Sequence, residues 1–260
     1  MTKNGTTRSL FELTGKVALV TGASKGIGET IAHALAEYGA SVVVSSRRQE
    51  AVDSVAQQIQ SRGFEAAAIA ANMGRMEQVE ALVDSVVSEY GALDIIVNNA
   101  ATNPVYGSID QTDSGAFDKI IDVNLKGPLM LCNKAYPILK ARGGGSIIHL
   151  SSIGGLTPEK GIGMYSVSKA ALINLTKAMA QDWGKDNIRI NAICPGLIKT
   201  KFSEALWRDD QNRDRFLSKI PMGRLGETED LAGLAVFLAS EASAYCTGGF
   251  YMVDGGYAAA

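Results

Sequence analysis

The feature of this sequence that most constrains its fold is a regular alternation of short apolar runs with longer amphipathic segments. Apolar residues at helical spacing predict helices, and short, almost continuously apolar runs are typical of buried strands. Strands that alternate with helices in this way form a parallel sheet covered by helices on both faces. The strands are predicted at 16–20, 41–46, 65–71, 93–97, 147–150, 188–196 and 249–253, and the helices at 27–38, 49–62, 75–90, 112–142, 164–184 and 228–239.

The chain is predicted to form one α/β domain. Its 260 residues are 46% hydrophobic, enough to bury a large core, and no linker or shift in composition divides them. Residues 1–13 are predicted to be a polar tail, and Thr228 is expected to cap the last helix. Segment 200–219 breaks the alternation, because Phe202, Leu206 and Trp207 form an apolar face on a charged stretch. This segment is either a lid over a hydrophobic substrate or an ordinary docked helix.

The charge balance excludes two classes of partner. The net charge is −2 and no basic run is present, which argues against nucleic acid and anionic membranes as partners. The N-terminus lacks the apolar core of a signal peptide, and no stretch of about 20 apolar residues occurs. We therefore expect a cytoplasmic protein that does not bind membranes.

The cysteines and histidines do not predict a metal site. Free thiols in apolar surroundings are expected at Cys132, Cys194 and Cys246. Neither His33 nor His149 has a cysteine or carboxylate at metal-ligand spacing. Strand alternation puts His149 on the sheet face opposite to Ser152, which favours a core histidine over a catalytic one.

A glycine-rich turn joins the first strand to the first helix. In TGASKGIG, residues 21–28, Gly22 allows a tight turn, and Gly26 lets the backbone approach a pyrophosphate. Gly28 lets the helix pack closely on the strand, while the helix N-terminus faces the anion. In this context the turn predicts nucleotide binding; the alternative is a tight turn without a ligand.

The end of the second strand favours NADP over NAD. At this point of dinucleotide sites, an acidic residue selects NAD and an arginine accepts the 2′-phosphate of NADP. Here the chain offers Ser46, Arg47 and Arg48, with no carboxylate, and Lys25 in the glycine turn adds a cation. The alternative is a solvated pair of surface arginines.

The middle of the chain, 146–170, carries a candidate catalytic set. Tyr165 and Lys169 lie four residues apart on a predicted helix and therefore share one face. An ammonium about 5 Å away is expected to lower the pKa of the phenol from about 10 towards about 8, a range suited to proton transfer. Ser152, after the fifth strand, is placed to hold the reacting oxygen. Taken alone, a Tyr and a Lys four residues apart are also common on exposed helix surfaces without any catalytic role.

Two further segments bear on the site. Pro128 has no N–H, so the carbonyl of Asn124 loses its partner within the helix and needs another, such as a water. A simple helix kink is the alternative. After the fourth strand, the small residues of NNAA at 98–101 permit close approach of a planar ligand.

These motifs together resemble the short-chain dehydrogenase/reductase family. They occur in the family's order and spacing over residues 14–256, and comprise TGASKGIG, NNAA, Asn124, Ser152, Tyr165-x-x-x-Lys169 and Pro195-Gly196. The resemblance implies a doubly wound, Rossmann-like three-layer fold with a seven-stranded parallel sheet, and usually a homotetramer. It implies that Tyr165 is the acid/base, that Lys169 lowers its pKa and holds the nicotinamide ribose, that Ser152 orients the carbonyl, and that Asn124 anchors a proton-relay water.

The same resemblance predicts the cofactor site. Its residues would be Gly22, Ser24, Lys25, Gly26, Ile27, Gly28, Ser46, Arg47, Arg48, Asn72, Met73, Asn99, Ala100, Ala101, Tyr165, Lys169, Pro195, Gly196, Ile198 and Thr200. Two positions depart from the family pattern. Asn72 replaces the usual Asp near the adenine, where its amide oxygen can still accept a hydrogen bond, and NNAA replaces NNAG.

Two segments, NAATNPVYGS at 99–108 and PGLIKTKFSEALW at 195–207, most resemble the NADP-dependent carbonyl and retinal reductases of the dehydrogenase/reductase group within this family. The chain ends in Ala-Ala-Ala rather than in their peroxisomal address. The expected function is therefore NADP(H)-dependent hydride transfer to or from a bulky, apolar ketone, aldehyde or secondary alcohol. One alternative is a 3-oxoacyl-thioester (acyl-carrier-protein) reductase, for which Arg142 would supply a cation near the entrance while Asp186 would oppose the carrier. A non-catalytic NADP-binding regulator is the alternative from another class.

Overall fold

All seven apolar runs form strands, which pair in parallel in the order β3-β2-β1-β4-β5-β6-β7. The computed structural model describes residues 6–259, apart from the side chain of Asn212. The strands are β1 Val17–Thr21, β2 Ser41–Ser46, β3 Ala66–Ala70, β4 Ile95–Asn98, β5 Gly145–Leu150, β6 Ile188–Pro195 and β7 Phe250–Val253. The predicted seven-stranded parallel sheet is confirmed.

Helices cover both faces of the sheet, as the alternating pattern predicts. Their bounds are α1 Ile27–Glu37, α2 Gln49–Ser61, α3 Met76–Tyr90, α4 Ser114–Ile121, α5 Gly127–Ala141, α6 Gly163–Trp183, α7 Glu204–Trp207, α8 Asp210–Leu217 and α9 Ala232–Ala239. One apolar core joins the sheet to α1, α2 and α9, and a second joins it to α3, α5 and α6. The result is the three-layer, doubly wound fold.

Strand β1 shows why these runs are apolar throughout. Ala18 and Val20 belong to one core, whereas Val17 and Leu19 belong to the other. Successive side chains of a strand point to opposite faces, and here both faces are buried.

The single long helix predicted at 112–142 is wrong. The chain instead forms α4, a π-helical turn at Asp122–Lys126, and then α5. Pro128 stands in the first turn of α5, where a missing N–H costs little. The helix thus changes from α-helical to π-helical winding just before the proline that cannot donate a helical hydrogen bond. The π-helical turn contains Asn124.

The ends of the chain also differ from expectation. Thr7–Phe11 forms a short 3₁₀ turn, Phe11 packs on Phe237 with ring centroids 6.4 Å apart, and Leu13 is buried. Residues 6–13 are thus not a free tail, and residues 1–5 lie outside the described part. Before α9, the chain forms a 3₁₀ turn at Thr228–Leu231 capped by Glu227 rather than by Thr228.

The strand order reverses between β1 and β4, since β2 and β3 lie on one side of β1 and the later strands on the other. In open α/β sheets, ligands bind outside the carboxyl ends of the strands at such a reversal. In the part of the chain that the structure describes, no helix is long and apolar enough to span a bilayer.

Candidate active site

A cleft of about 890 Å³ opens at the carboxyl ends of β1, β2, β4, β5 and β6. It brings together most of the predicted cofactor residues with Ser152, Tyr165 and Lys169. Those that line it are Gly22, Ser24, Lys25, Gly26, Ile27, Ser46, Arg47, Asn72, Met73, Asn99, Ala100, Ala101, Pro195, Gly196, Ile198 and Thr200. Three predicted residues do not line it, namely Gly28, Arg48 and Asn124.

The glycine turn leaves the N-terminus of α1 open to the cleft. Gly22 and Gly26 adopt φ values of +66° and +65°, which favour glycine. No side chain caps α1 at Gly26, so no side chain competes with an anion for the first N–H groups of the helix. Gly28 lies behind the turn, where a Cβ would approach the carbonyl oxygen of Gly22 to 2.6 Å. Its role is close packing of helix on strand, as predicted, and not contact with the cleft.

At the end of β2, the charge pattern of the sequence is retained. Arg47 is exposed and lines the cleft, as do Ser46 and Lys25. Arg48 does not line the cleft and occupies the N-cap position of α2, so its contact with a cofactor stays a prediction. Across residues 6–259, no carboxylate forms an ion pair with Lys25 or Arg47. Both cations are available to an anionic ligand.

Asn72 and the NNAA segment are tied into the scaffold. The side-chain oxygen of Asn72 accepts a hydrogen bond from the Gly74 N–H at 3.0 Å, so the oxygen expected to face adenine also holds a turn. The amide of Asn99 donates to the carbonyl oxygens of Thr21 and Gly22 at 2.9 and 3.0 Å. Asn99 thereby fixes the glycine turn against the end of β4.

Ser152, Tyr165 and Lys169 meet because β5 and α6 lie side by side. Ser152 follows β5, accepts a hydrogen bond from the Gly154 N–H at 3.0 Å, and lies close enough to the phenol of Tyr165 to act on its pKa. Lys169 is 2% exposed, and its Nζ lies 5.5 Å from the centroid of the Tyr165 ring. The ammonium donates to the carbonyl oxygen of Leu150 at 2.6 Å.

The electrostatics of this set differ from the expectation. Burial, and then the neighbouring Tyr106, raise the pKa of Tyr165 above its ordinary value, although Ser152 acts in the opposite direction. Burial also lowers the pKa of Lys169 to about 8. The predicted lowering of the phenol pKa towards about 8 is therefore wrong for this structure, because removal from water disfavours both the phenolate and the ammonium.

Asn124 lies behind the cleft wall, in the π-helical turn, and is fully buried. Its side chain accepts from the Thr102 N–H at 2.8 Å and donates to the Thr102 carbonyl and the Ser168 hydroxyl, each at 3.0 Å. These bonds tie the loop after β4 to α6. Because both polar atoms of the Asn124 side chain already form these hydrogen bonds, its main-chain carbonyl is the group that would hold the predicted water.

Segment 200–219 both packs on the domain and lines the cleft. Phe202, Leu206, Ile153 and Tyr106 line it, and the Phe202 ring lies 5.9 Å from the Tyr165 ring. Trp207 does not; it packs against a small core formed by Leu197, Ile220 and Leu225. The exposed side chain of Leu156 also lies outside the cleft. The two alternatives for this segment are thus not exclusive.

The profile of a family described as enoyl-(acyl carrier protein) reductase matches residues 22–258. Over 256 residues the chain is 43% identical to the Homo sapiens protein named dehydrogenase/reductase SDR family member 4, covering 98% of this chain and 92% of that protein. The chain belongs to the short-chain dehydrogenase/reductase family. It is accordingly an oxidoreductase with an NAD(P)-binding fold.

Solved members of this family share the fold closely. A gluconate 5-dehydrogenase from Burkholderia cenocepacia, in complex with NADP and tartrate, is 34% identical with a TM-score of 0.93, covering 96% of this chain and 98% of that one. A 7α-hydroxysteroid dehydrogenase, complexed with NADH and 7-oxo glycochenodeoxycholic acid, is 33% identical with a TM-score of 0.92, covering 96% of each chain. These similar structures thus hold either cofactor, with a sugar acid derivative named for one and a steroid for the other.

The remaining predicted residues of this family member are structural. His149 is fully buried, with its Nδ1 at 3.2 Å from the Thr176 hydroxyl and its Nε2 at 3.9 Å from the thiol of Cys132. Burial, and then the charge of Lys169, lower the pKa of His149 to about 3. The prediction of a core histidine is confirmed. Cys132 and Cys194 are buried free thiols as expected, whereas Cys246 is partly exposed.

Arg142 does not stand at the cleft entrance. Helix α5 returns to the amino edge of the sheet, where Arg142 pairs with the buried Asp94 at 3.1 Å. Asp186 lies near the same edge and pairs with Lys140 at 3.1 Å. Both residues belong to the edge opposite the cleft. In residues 6–259 there is no group of three or more His, Cys, Asp or Glu side chains suited to a metal ion.

A set of charged and polar side chains at the cleft was not predicted from the sequence. Glu159, Lys160, Arg215 and Tyr257 all line it. Tyr257 packs on Phe216 with ring centroids 5.9 Å apart, and burial and then the nearby Glu159 raise the pKa of its phenol to about 12. The stretch between Ser152 and Tyr165 contains Glu159 and Lys160, so its position alone was a signal. No sequence pattern, in contrast, linked the last turn of the chain to this loop.

Proposed function

We propose that the protein is an NADPH-dependent reductase of bulky, apolar ketones and aldehydes, which also oxidises the corresponding secondary alcohols. The observation that carries this proposal is a single cleft with Tyr165, Ser152 and Lys169 at one end and unpaired Arg47 at the end of β2. Tyr165, Ser152 and Lys169 are the residue types that carbonyl reduction needs. Arg47 supplies a positive charge for the 2′-phosphate of NADP.

The residues of the cleft fit a dinucleotide. The uncapped N-terminus of α1 and its two glycines with positive φ form a cradle for a pyrophosphate, and the end of β2 carries no carboxylate. Ala100, Ala101 and Gly196 offer small side chains for the planar rings. When bound, NADPH supplies the hydride. Lys169 is placed to hold the nicotinamide ribose.

Each catalytic side chain has one task in the proposed reduction. Ser152 donates a hydrogen bond to the substrate carbonyl and orients it towards Tyr165. Tyr165 gives its phenolic proton to the oxygen as negative charge develops there. Asn124 keeps the loop after β4 in place through its bonds to Thr102, and its main-chain carbonyl anchors the water that returns a proton.

The electrostatics support reduction as the main direction near neutral pH. Because burial raises the pKa of Tyr165, the phenol is protonated at pH 7 and ready to act as an acid. Oxidation of an alcohol needs the phenolate and should therefore become faster as the pH rises.

The apolar wall supports bulky substrates. Phe202, Leu206, Ile153 and Tyr106 face the same space as Tyr165, and such a wall binds by excluding water, at about 25 cal/mol per Å² buried. We propose that 200–219 serves as the lid of this pocket. We also propose that the protein is a cytoplasmic homotetramer. The family resemblance supports the tetramer, and so do the exposed apolar side chains of Phe250 and Met252 on the edge strand β7.

The two alternative functions have less support. A 3-oxoacyl-thioester reductase needs cations at the entrance for an acidic carrier protein, and Arg142 lies at the opposite edge of the sheet. A non-catalytic regulator needs no Ser152, Tyr165 and Lys169, yet the chain brings all three together at one end of the cleft.

The test is a substrate panel followed by the absorbance of NADPH and of NADH. Aromatic ketones and α-diketones should be reduced with a higher kcat/KM than glucose or gluconate-type sugar acids. NADPH should be preferred at least ~100-fold, since a pair of charge-assisted bonds contributes about 1.5 to 3 kcal/mol for each bond. Equal KM values for NADPH and NADH, or better turnover of sugars, would refute the proposal.

Arg47→Ala is the variant that tests the cofactor half. It should raise the KM for NADPH at least ~10-fold and leave that for NADH almost unchanged, and it should weaken the salt dependence of NADPH binding. Arg48→Ala is the matched control, because Arg48 neighbours Arg47 but does not line the cleft; its effect should be clearly smaller.

A further inference from the structure

The part of the cleft beside the catalytic tyrosine contains charged groups that the proposed reaction does not use. Lys160 and Arg215 line the cleft and are exposed. Among the described residues, no carboxylate forms an ion pair with either, whereas the neighbouring Lys201 pairs with Glu204 at 3.0 Å. Two cations therefore face the substrate space without a partner.

Tyr257 joins these cations into one cluster. Its ring packs on Phe216, a neighbour of Arg215 in α8, and its phenol lies close enough to Glu159, a neighbour of Lys160, for that carboxylate to raise its pKa. The charge of Arg215 is close enough to Tyr257 to act on the phenol. We call Glu159, Lys160, Arg215 and Tyr257 the outer cluster.

The outer cluster has a net charge of +1. It contains two cations and one carboxylate, and that carboxylate lies near the phenol of Tyr257. A ligand anion would thus meet a guanidinium with an open planar fork and an ammonium, both beside apolar walls such as Phe202 and Phe216. A ligand cation would meet two like charges.

Building on the proposed reductase function, we propose that the preferred substrates are carbonyl compounds with a carboxylate remote from the reacting carbonyl. The apolar body lies along the wall that includes Phe202 and Leu206, and Lys160 and Arg215 bind the carboxylate. Tyr257 packs on Phe216 and lies near both Glu159 and Arg215, so the loop after β5, α8 and the end of the chain meet at the mouth of the cleft.

The test uses matched aryl ketones that differ only at the end far from the carbonyl. One bears a carboxylate, one the primary amide and one an aminomethyl group, each at two spacer lengths, with NADPH as the reductant. The wild-type kcat/KM for the carboxylate should exceed that for the amide by at least ~10-fold, mainly through KM, and this ratio should fall in 0.5 M salt.

Variants locate the effect. Arg215→Gln and Lys160→Gln should each lower the carboxylate-to-amide ratio at least ~3-fold, and the double variant Lys160→Glu/Arg215→Glu should shift the preference to the aminomethyl ketone. Lys185→Gln, an exposed lysine near the amino edge of the sheet, should leave the ratio unchanged.

Two results overturn the inference in distinguishable ways. If NADPH reduces the amide and the carboxylate equally well, or if charge reversal leaves the ratio unchanged, the outer cluster does not bind a carboxylate although the reductase proposal stands. If no ketone of the set is reduced with either cofactor, the proposed function fails and this inference fails with it.

Discussion

At the scale of the residue, Tyr165 decides whether carbonyl chemistry takes place. The phenol lies beside Ser152, and burial raises its pKa, which keeps it protonated. Tyr165→Phe removes only the proton donor and retains the ring that contacts Phe202. Turnover should fall by ~10²-fold to ~10⁴-fold while NADPH affinity stays nearly constant. Stopped-flow kinetics and a fluorescence titration with NADPH measure the two quantities.

Lys169→Ala is the comparison for that variant. Lys169 is proposed to hold the nicotinamide ribose and lies 5.5 Å from the Tyr165 ring, so both the cofactor affinity and the rate should decrease. If Tyr165→Phe keeps more than about a tenth of the wild-type rate, another group supplies the proton, and the role assigned to Tyr165 is wrong.

At the scale of the element, the π-helical turn before α5 is held by one close approach. A Cβ on Gly127 would lie 2.3 Å from the carbonyl oxygen of Met73 and 3.1 Å from that of Asp122. The backbone of α5 therefore contacts the segment after β3 directly, and Met73 lines the cleft. The turn that positions Asn124 and the wall of the cofactor site are consequently one packed unit.

Gly127→Ala should disturb this unit. Since the nearest atoms are backbone atoms, the added methyl has to separate the two segments, at a cost of about 1 to 3 kcal/mol, and the KM for NADPH should rise. Urea unfolding and initial rates check both. Gly233→Ala in α9 is the control: nothing lies within 4 Å of its Cβ, so it should stabilise the protein by up to about 1 kcal/mol. Equal stability of the two variants would contradict the packing argument.

At the scale of the whole molecule, His149 links the core to pH. The pKa of this histidine is lowered to about 3 because it is buried and lies near Lys169, whereas a histidine in the unfolded chain titrates near its ordinary value. The unfolded chain thus binds the additional proton as the pH falls below about 6.5. The contribution of His149 to the free energy of unfolding is therefore fully present above that pH and is lost as the pH falls towards 3.

Protonation of His149 is expected to lower the free energy of unfolding by roughly 3 kcal/mol at pH 4.5 relative to pH 7. His149→Asn should lower stability at pH 7, because bonds to Thr176 and Cys132 are lost, but should also flatten the acid dependence. Urea unfolding at pH 7 and pH 4.5 measures the slope. His33→Gln, on the surface of α1, should keep the wild-type slope; the same flattening in both variants would show that the buried site is not its origin.

The sequence by itself determined the order of strands and helices, the parallel sheet and the end of the sheet at which the cleft lies. Hydrophobic period and the positions of glycine are local properties, and parallel strands necessarily bring their carboxyl ends to one edge. For the same reason Gly22, Arg47 and Ser152 line the cleft, since each lies within two residues of the carboxyl end of a strand.

Only the tertiary structure decided which way helical side chains point and how far each group is removed from water. Trp207 turns to a side core and Arg142 to the opposite edge, because packing between elements, not spacing along the chain, sets those directions. Burial raises the pKa of Tyr165, opposite to the direction expected from the sequence, since removal from water depends on atoms from many elements. Tyr257 reaches Glu159 from the far end of the chain, a contact that depends on the fold as a whole.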